Sequence, residues 1–133
     1  MIDEHRRLVA EWVEKLKHTY TENLSALVRT RPVFRVSSGN LTYYVVRGRR
    51  GYYVVLPGLY CSCKEFEINV LMRRNKGACY HLALVDEAIR QGRVKELRLG
   101  LEEAVTALIE VLETGDSILL RRAVSGANEV SID

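Results

Sequence analysis

Four side chains that commonly bind metals occur as two tight pairs near the middle of this 133-residue chain. The first pair is Cys61 and Cys63, and the second is Cys79 and His81. They comprise all three cysteines of the chain and one of its three histidines. Three thiolates and one imidazole form a complete tetrahedral ligand set for Zn²⁺, with no position left for water. The sequence therefore predicts one structural Zn²⁺ held by Cys61, Cys63, Cys79 and His81.

The spacing within each pair predicts how the backbone reaches the metal. In an extended segment, side chains two residues apart point to the same face, so Cys61 and Cys63 can direct both sulfurs to one point. On a helix, side chains two residues apart point to nearly opposite faces. We therefore expect Cys79 just before or at the first turn of a helix, with His81 reaching the metal from that turn. The apolar residues after His81 predict this helix, and Gln91-Gly92 predicts its end.

Other uses of the cysteines stay open at this point. Free cysteines can pack as small apolar residues, but this gives no reason for them to cluster with a histidine. A disulfide from Cys79 to Cys61 or Cys63 would leave one odd thiol. An iron–sulfur cluster usually takes four thiolates, and a catalytic zinc usually keeps an open position. We favour a structural zinc, and we expect no enzyme activity because no nucleophile–base pair accompanies the site.

The residues around the ligands resemble a known family. Cys-x-Cys, a variable spacer and Cys-x-His form the pattern of the SWIM zinc finger. The segment also carries the following residues, which make it similar to the SWIM proteins of the Shu type: Phe66 three residues after Cys63, the pair Val70-Leu71 in the spacer, and Leu82-Ala83 directly after His81. Those proteins are recombination accessory factors that partner with paralogs of the strand-exchange recombinase. The resemblance covers about residues 33 to 98.

The resemblance implies a non-enzymatic accessory factor in DNA recombination or repair, with a recombinase paralog as partner and DNA as a further candidate ligand. Two positions depart from the family pattern. Tyr80 stands where family members usually carry Lys, and Ala78 stands where many carry Pro. Neither change removes a ligand, although Tyr80 removes a positive charge beside the metal. Two competing functions are a protein-interaction adaptor without nucleic-acid contact and a DNA-binding regulator unrelated to recombination.

The net charge of +3 conceals an uneven distribution. Residues 29–99 contain 14 Lys or Arg and 5 Asp or Glu, whereas the two flanks together contain 6 and 12. The basic middle indicates an anionic partner such as nucleic acid. An equally supported interpretation is that the acidic flanks fold back and neutralise it. Basic residues cluster at two places, a predicted hairpin turn and the loop before Cys79, and the candidate phosphate contacts are Arg47, Arg49, Arg50, Arg73, Arg74 and Lys76.

Hydrophobic periodicity divides the chain into three parts of one α+β domain. Residues 1–31 read as a single amphipathic helix from 3 to 30, ended by Arg31-Pro32, with Trp12 as a candidate partner contact. Residues 32–98 form the zinc module. Strands at 33–37, 41–47 and 52–56 predict a small antiparallel sheet of about three strands that leads into the zinc site. The apolar half of spacer 64–78 predicts a short helix or turn that caps the metal.

Residues 99–133 predict C-terminal helices and a tail. An amphipathic helix at 101–113 ends at Thr114-Gly115. Asp116 or Ser117 can cap a short second helix that runs to Val124. The tail from Ser125 lacks a sustained apolar period, and we expect it to be loose. Leu119 and Leu120 are candidate contacts for another subunit, and a homo-oligomer is compatible with this.

Several classes of protein are disfavoured by the sequence. No apolar run approaches the ~20 residues that span a bilayer, and the charged N-terminus does not resemble a secretory signal. We therefore expect a cytoplasmic protein, nuclear if the source is a eukaryote, with no membrane contact. The absence of a phosphate-binding Gly-rich loop agrees with our expectation that no small-molecule substrate is bound.

Overall fold

The computed structural model describes the backbone of residues 2–132 and the side chains of residues 2–20 and 23–126. The chain forms one five-stranded sheet with helices on both faces. In chain order the elements are α1 Ile2–Thr19, α2 Thr21–Thr30, β1 Val33–Ser38, β2 Leu41–Arg47, β3 Tyr52–Leu56, β4 Tyr60–Cys61, a π-helical segment Phe66–Met72, α3 Tyr80–Arg90, β5 Val94–Arg98, α4 Leu101–Thr114 and α5 Ile118–Ile132. The α+β class expected from the sequence is confirmed.

The sheet is larger than the predicted three-stranded meander. Its strand order is β4-β3-β2-β1-β5, and the first four strands pair antiparallel along the chain. The three predicted strands are present, but β5 adds a parallel partner to β1 that the sequence did not reveal. β5 reads as polar because it is an edge strand in which only Leu97 is buried. β4 contains two residues, which is too short to show a period.

Both faces of the sheet are covered, which explains the unbroken apolar run in β2. Tyr43 and Val45 face one side, whereas Tyr44 and Val46 face the other, and all four are buried. We call the core between the sheet and α1–α3 the first core; its members include Val9, Leu24, Val33, Tyr44, Val55 and Leu84. We call the core between the sheet and α4–α5 the second core; its members include Phe34, Tyr43, Val54, Ala107 and Leu120. A strand buried on both faces shows no alternation of polar and apolar residues.

The N-terminal segment is two helices, so the prediction of a single helix is wrong. The break falls at Tyr20, whose backbone leaves the helical region at φ −114° and ψ 27°. A single helix over residues 3–30 would be about 42 Å long at 1.5 Å per residue. The break allows both α1 and α2 to pack on α3. Val13 of α1 and Leu24 of α2 consequently lie buried in the same core.

The C-terminal segment is more helical than expected. α4 ends at Gly115, which adopts a left-handed φ of +81°, as predicted. Ser117 caps α5, since its Oγ accepts a hydrogen bond from the Leu120 amide at 3.1 Å. α5 then continues to Ile132, so the expected loose tail from Ser125 is wrong for the described backbone. Leu120 is fully buried in the second core, and this corrects its assignment as a contact for another subunit; Leu119 is half-buried against the same core.

A hydrogen bond from Tyr43 joins the sheet to α4 and can be tested. The buried Tyr43 hydroxyl donates to the Ala104 carbonyl at 2.6 Å, and burial raises the pKa of Tyr43 to about 12. Tyr43→Phe should lower the free energy of unfolding by about 0.5–1.5 kcal/mol, because it removes this buried hydrogen bond while the Ala104 carbonyl can still accept its helical hydrogen bond within α4. Chemical denaturation would measure the change. Tyr20→Phe, at an exposed ring, is the control and should shift stability by less than about 0.5 kcal/mol.

Candidate metal centre

The first two ligands are placed by a short strand at the edge of the sheet. Cys61 ends β4 and pairs with Val55 of β3. The next residue, Ser62, holds the segment against β3 twice: its amide donates to the Val54 carbonyl at 2.9 Å, and its hydroxyl accepts from the Val54 amide at 2.8 Å. This pairing keeps the chain extended across Cys61-Ser62-Cys63. Both cysteines can therefore face the same side, as the spacing predicts.

The second pair lies at the start of α3. Cys79 precedes the helix with extended backbone angles, φ −107° and ψ 170°, and His81 is the second helical residue. The change from extended to helical backbone between them brings together two side chains that a continuous helix would separate. The predicted position of Cys79 before the first turn is thus confirmed. The helix ends at Arg90, and Gly92 follows with a φ of +66°.

The four side chains converge on one point. The candidate ligand atoms of Cys61, Cys63, Cys79 and His81 all lie within 4.8 Å of one another. Tetrahedral Zn²⁺ with bonds of about 2.3 Å to sulfur and about 2.0 Å to nitrogen places its ligands roughly 3.5–3.8 Å apart. The cluster therefore has the size and donor set that one zinc ion requires. All three cysteines are buried and free, which rules against the disulfide alternative.

The electrostatics of the cluster call for a cation. Hydrogen bonds from Cys61 and then Cys79 lower the pKa of Cys63, and the Phe66 amide also donates to the Cys63 sulfur at 3.4 Å. The hydrogen bond to Cys63, followed by the bond with Cys79 and burial, raises the pKa of Cys61. Three buried sulfurs this close together cannot all ionise without a compensating positive charge. A bound Zn²⁺ allows all three to ionise together.

The imidazole gives an independent indication of metal binding. Within the described side chains, His81 Nδ1 is buried and has no hydrogen-bond partner. Buried polar atoms are rarely left unpaired, so this nitrogen calls for an explanation. The ring is also held in place, since the Tyr53 ring lies 4.4 Å from it between centroids and is tilted by 35°. Coordination by one nitrogen of this oriented ring fits the site.

Comparison with known proteins agrees with this geometry. A stretch of 54 residues, 39% of this chain, is 41% identical to the "Zinc finger SWIM domain-containing protein 7 homolog" of Dictyostelium discoideum. Over that stretch, the chain is similar to a protein that is named for its SWIM zinc finger. The matched region spans 33% of the length of that relative. No family model matches the chain, and no solved structure matches it.

The residues that carry the SWIM resemblance form the packing around the zinc finger. Phe66 is fully buried, and its ring makes edge contacts with Tyr60 at 5.5 Å and His5 at 6.2 Å between centroids. Four residues of the motif outside the ligands lie in the first core beside the cysteines: Phe66, Val70, Leu82 and Ala83. Leu71 differs from its neighbour Val70 because it is exposed. Phe66 opens the π-helical segment at the position where the sequence predicts a short cap over the metal.

Trp12 supports the loop that leads to Cys79. A Cβ atom added to Gly77 would lie 2.0 Å from Trp12 Cδ1 and 2.8 Å from the Leu8 carbonyl oxygen, so only glycine fits here. Lys15 Nζ lies 4.9 Å from the centre of the indole. Trp12 is half-buried and packs against the first core. The described contacts of Trp12 are therefore within the chain. This is typical of an apolar residue on an amphipathic helix that faces its own core.

The candidate phosphate contacts occupy two separate loops. Arg47, Arg49 and Arg50 are exposed at the β2–β3 hairpin. Arg73 and Arg74 are exposed directly after the π-helical segment, and Arg74 has a φ of +55°. Lys76 instead forms a salt bridge with Glu65 at 2.7 Å. Within the described side chains, no salt bridge joins any of these six residues to an acid of the flanks, so the charge segregation is not cancelled by direct pairing.

Lys64 is a basic residue near the site that is absent from the candidates predicted by the sequence. It follows Cys63 directly and lines a groove between the β3–β4 edge and α4 together with Arg50, Ser62 and Leu112. The groove also contains two carboxylates, Glu67 and Glu113. The position of Lys64 next to the ligand Cys63 is the sequence signal that would have pointed to it.

Within the described residues, no helix is long and apolar enough to cross a bilayer.

Removing the metal should unfold the zinc module. A chelator should lower the thermal midpoint, because the binding energy of a structural zinc is part of the folding energy. Cys63→Ser should lose stoichiometric zinc and the near-ultraviolet signal of the packed aromatic residues, whereas part of the far-ultraviolet helical signal remains. His18→Ala, outside the cluster, is the control and should keep one zinc per chain. An unchanged thermal midpoint in chelator would contradict a structural metal.

Proposed function

We propose that this protein is a zinc-dependent, non-enzymatic accessory factor in DNA recombination or repair that acts by binding a recombinase paralog. The observation that carries the proposal is the SWIM-type ligand cluster, joined by the buried residues that resemble the Shu-type proteins. The name of the Dictyostelium relative mentions only the SWIM domain. The recombination role therefore rests on the resemblance of Phe66, Val70, Leu82 and Ala83 in their places around the ligands.

A structural role for the zinc supports an adaptor better than an enzyme. Four protein donors complete a tetrahedral sphere, which leaves no coordination position for water or substrate. The ligands come from the edge of the sheet and from the start of α3, so the metal joins two elements that the chain connects only through a spacer. The metal thus has a structural role: it stabilises the surface that these two elements form. Binding of a partner to that surface is the function such a site can serve.

Capture from the native cell tests the partner. The full chain, tagged and isolated under gentle conditions, should enrich a paralog of the strand-exchange recombinase in near-stoichiometric amount. Cys79→Ser should lose that protein, because the module that presents the surface no longer folds. The tag alone provides the background. Enrichment of partners from unrelated processes, with no recombinase paralog among them, would contradict the proposal.

Direct DNA binding is a second candidate, favoured by the exposed arginines of the two loops, which form no salt bridge with any described side chain. The affinity for DNA should fall steeply with salt, because each neutralised phosphate releases counterions. Replacing Arg49, Arg50, Arg73 and Arg74 together with Ala should weaken binding at least about tenfold. The same replacement should reduce the logarithmic salt slope by about 0.9 for each phosphate that is no longer neutralised.

A matched variant separates position from net charge in this DNA-binding experiment. Four other exposed arginines can be replaced by Ala with the same change in charge: Arg6, Arg7, Arg29 and Arg122. This control should reduce affinity much less, and both variants should retain zinc. Fluorescence anisotropy over a salt series is the measurement. Equal losses from the two variants, or no salt-dependent binding by the native chain, would leave a protein-binding adaptor without DNA contact.

A further inference from the structure

α4 is apolar on two faces, and the side chains that the structure describes cover one of them. Its inner face contributes Ala104, Ala107 and Val111 to the second core. A second row remains exposed, and its members retain the following fractions of their surface: Leu101 62%, Val105 38%, Ile109 47% and Leu112 49%. The spacing of four, four and three residues places them along one side of the helix. We call these four residues the α4 stripe.

The α4 stripe is more than scattered surface hydrophobicity. A helix that packs on its own core normally carries polar residues on the remaining surface. Single exposed apolar residues are common, but a contiguous row marks an interaction site. The stripe extends over about 16 Å at 1.5 Å per residue, which is roughly three helical turns. That length matches the anchor residues of one docked amphipathic helix.

The border of the stripe is acidic. α4 contains four glutamates and neither Lys nor Arg. Two of them face away from the stripe and make local contacts: Glu103 accepts from the Gly100 amide at 3.4 Å, and Glu110 accepts from the Ser117 hydroxyl at 2.7 Å. At 100° per residue, Glu102 and Glu113 fall within about 40° of Ile109 around the helix, Glu102 about two turns before it and Glu113 about one turn after it. Both are exposed, so negative charge lies along the outer edge of the stripe.

This charge distinguishes between the occupants that an apolar stripe could accept. A second copy of the chain, docked stripe to stripe, would bring the edge formed by Glu102 and Glu113 in one copy to the same interface as the identical edge of the other. Like charges across an interface disfavour the complex, whereas opposite charges speed its formation and select the partner. We propose that the α4 stripe binds an amphipathic helix of a partner protein whose apolar row is bordered by Lys or Arg. This inference rests on the proposed function, in which the chain acts by protein binding.

The position of the stripe relates the docking surface to the zinc finger. Leu112, at its C-terminal end, lines the same groove as Tyr53, Ser62 and Lys64. Ser62 lies between two zinc ligands, and Tyr53 stacks on a third. The zinc finger therefore shapes one wall of the groove in which the docked helix ends. Loss of the metal should weaken binding at this end even though α4 itself carries no ligand.

The first experiment uses two synthetic helical peptides with the native full chain. Both carry Leu at the core positions of a heptad repeat, one with Lys and the other with Glu at the flanking positions. We expect the Lys peptide to bind at least about tenfold more tightly by fluorescence anisotropy. Val105→Ser combined with Ile109→Ser should weaken that binding about tenfold or more. Leu8→Ser combined with Met72→Ser, at exposed apolar positions elsewhere, should leave it unchanged.

A charge exchange tests the acidic border. Glu102→Lys combined with Glu113→Lys should reverse the preference, so that the Glu peptide becomes the tighter ligand. Zinc content and thermal midpoint verify that each variant is folded. Equal binding of both peptides by the native chain, or a preference that survives the exchange, would overturn the inference. Sedimentation showing a dimer that the Val105→Ser, Ile109→Ser variant abolishes would also overturn it, because a second copy would then cover the stripe.

Native-cell capture separates this inference from the proposed function. If the native chain captures a recombinase paralog and the Val105→Ser, Ile109→Ser variant does not, both are supported. If both proteins capture the paralog equally, the assignment of the surface fails and the proposed function stands. If the native chain captures no paralog, the proposed function fails, and the peptide experiment alone decides whether α4 is a docking surface for a basic helix.

Discussion

The convergence of four zinc ligands on one point is the constraint on which the rest of the structure depends. Cys61 and Cys63 come from a two-residue strand at the edge of the sheet, which by itself forms few hydrogen bonds. Cys79 and His81 come from the start of α3, across a spacer of fifteen residues. Coordination joins these segments in a molecule whose spacer is also held by Phe66, Val70 and Ala78 in the first core. The metal and the buried spacer residues therefore stabilise the same region.

The two faces of the sheet carry different features of the molecule. The face toward α1–α3 contains the zinc site, and its residues are largely those that the SWIM resemblance identifies. The opposite face is covered by α4 and α5, which carry no ligand, and α4 presents an apolar, acidic exterior. The basic hairpin lies where β2 turns into β3, close to the end of α4: the Tyr52 amide donates to the Gly115 carbonyl at 3.0 Å. The basic β2–β3 hairpin and the acidic exterior of α4 are thus adjacent surfaces of opposite charge.

The ligands could be predicted from the sequence because metal chemistry acts over short spacings. Cys-x-Cys demands an extended segment, and Cys-x-His demands a helix that begins between its members, whatever the rest of the chain does. The three strands of the meander were predictable for a similar reason, since each combines Val or Tyr with a turn. β5 was not predictable, because Lys95, Glu96 and Arg98 outnumber its single buried residue. Its pairing with β1 depends on a neighbour more than fifty residues away.

The sequence by itself determined the metal, its four ligands, the helix boundary at Cys79 and the turn at Gly115, because each follows from residues close together in the chain. Only the tertiary structure decided which apolar residues are covered. Leu120 and the α4 stripe both read as helix faces, yet Leu120 enters the second core and the stripe stays outside it. The break at Tyr20 was decided likewise, by packing against α3. Whether an apolar residue is buried depends on which element packs against it. The periodicity of one helix shows that the helix has an apolar face, but not what covers that face.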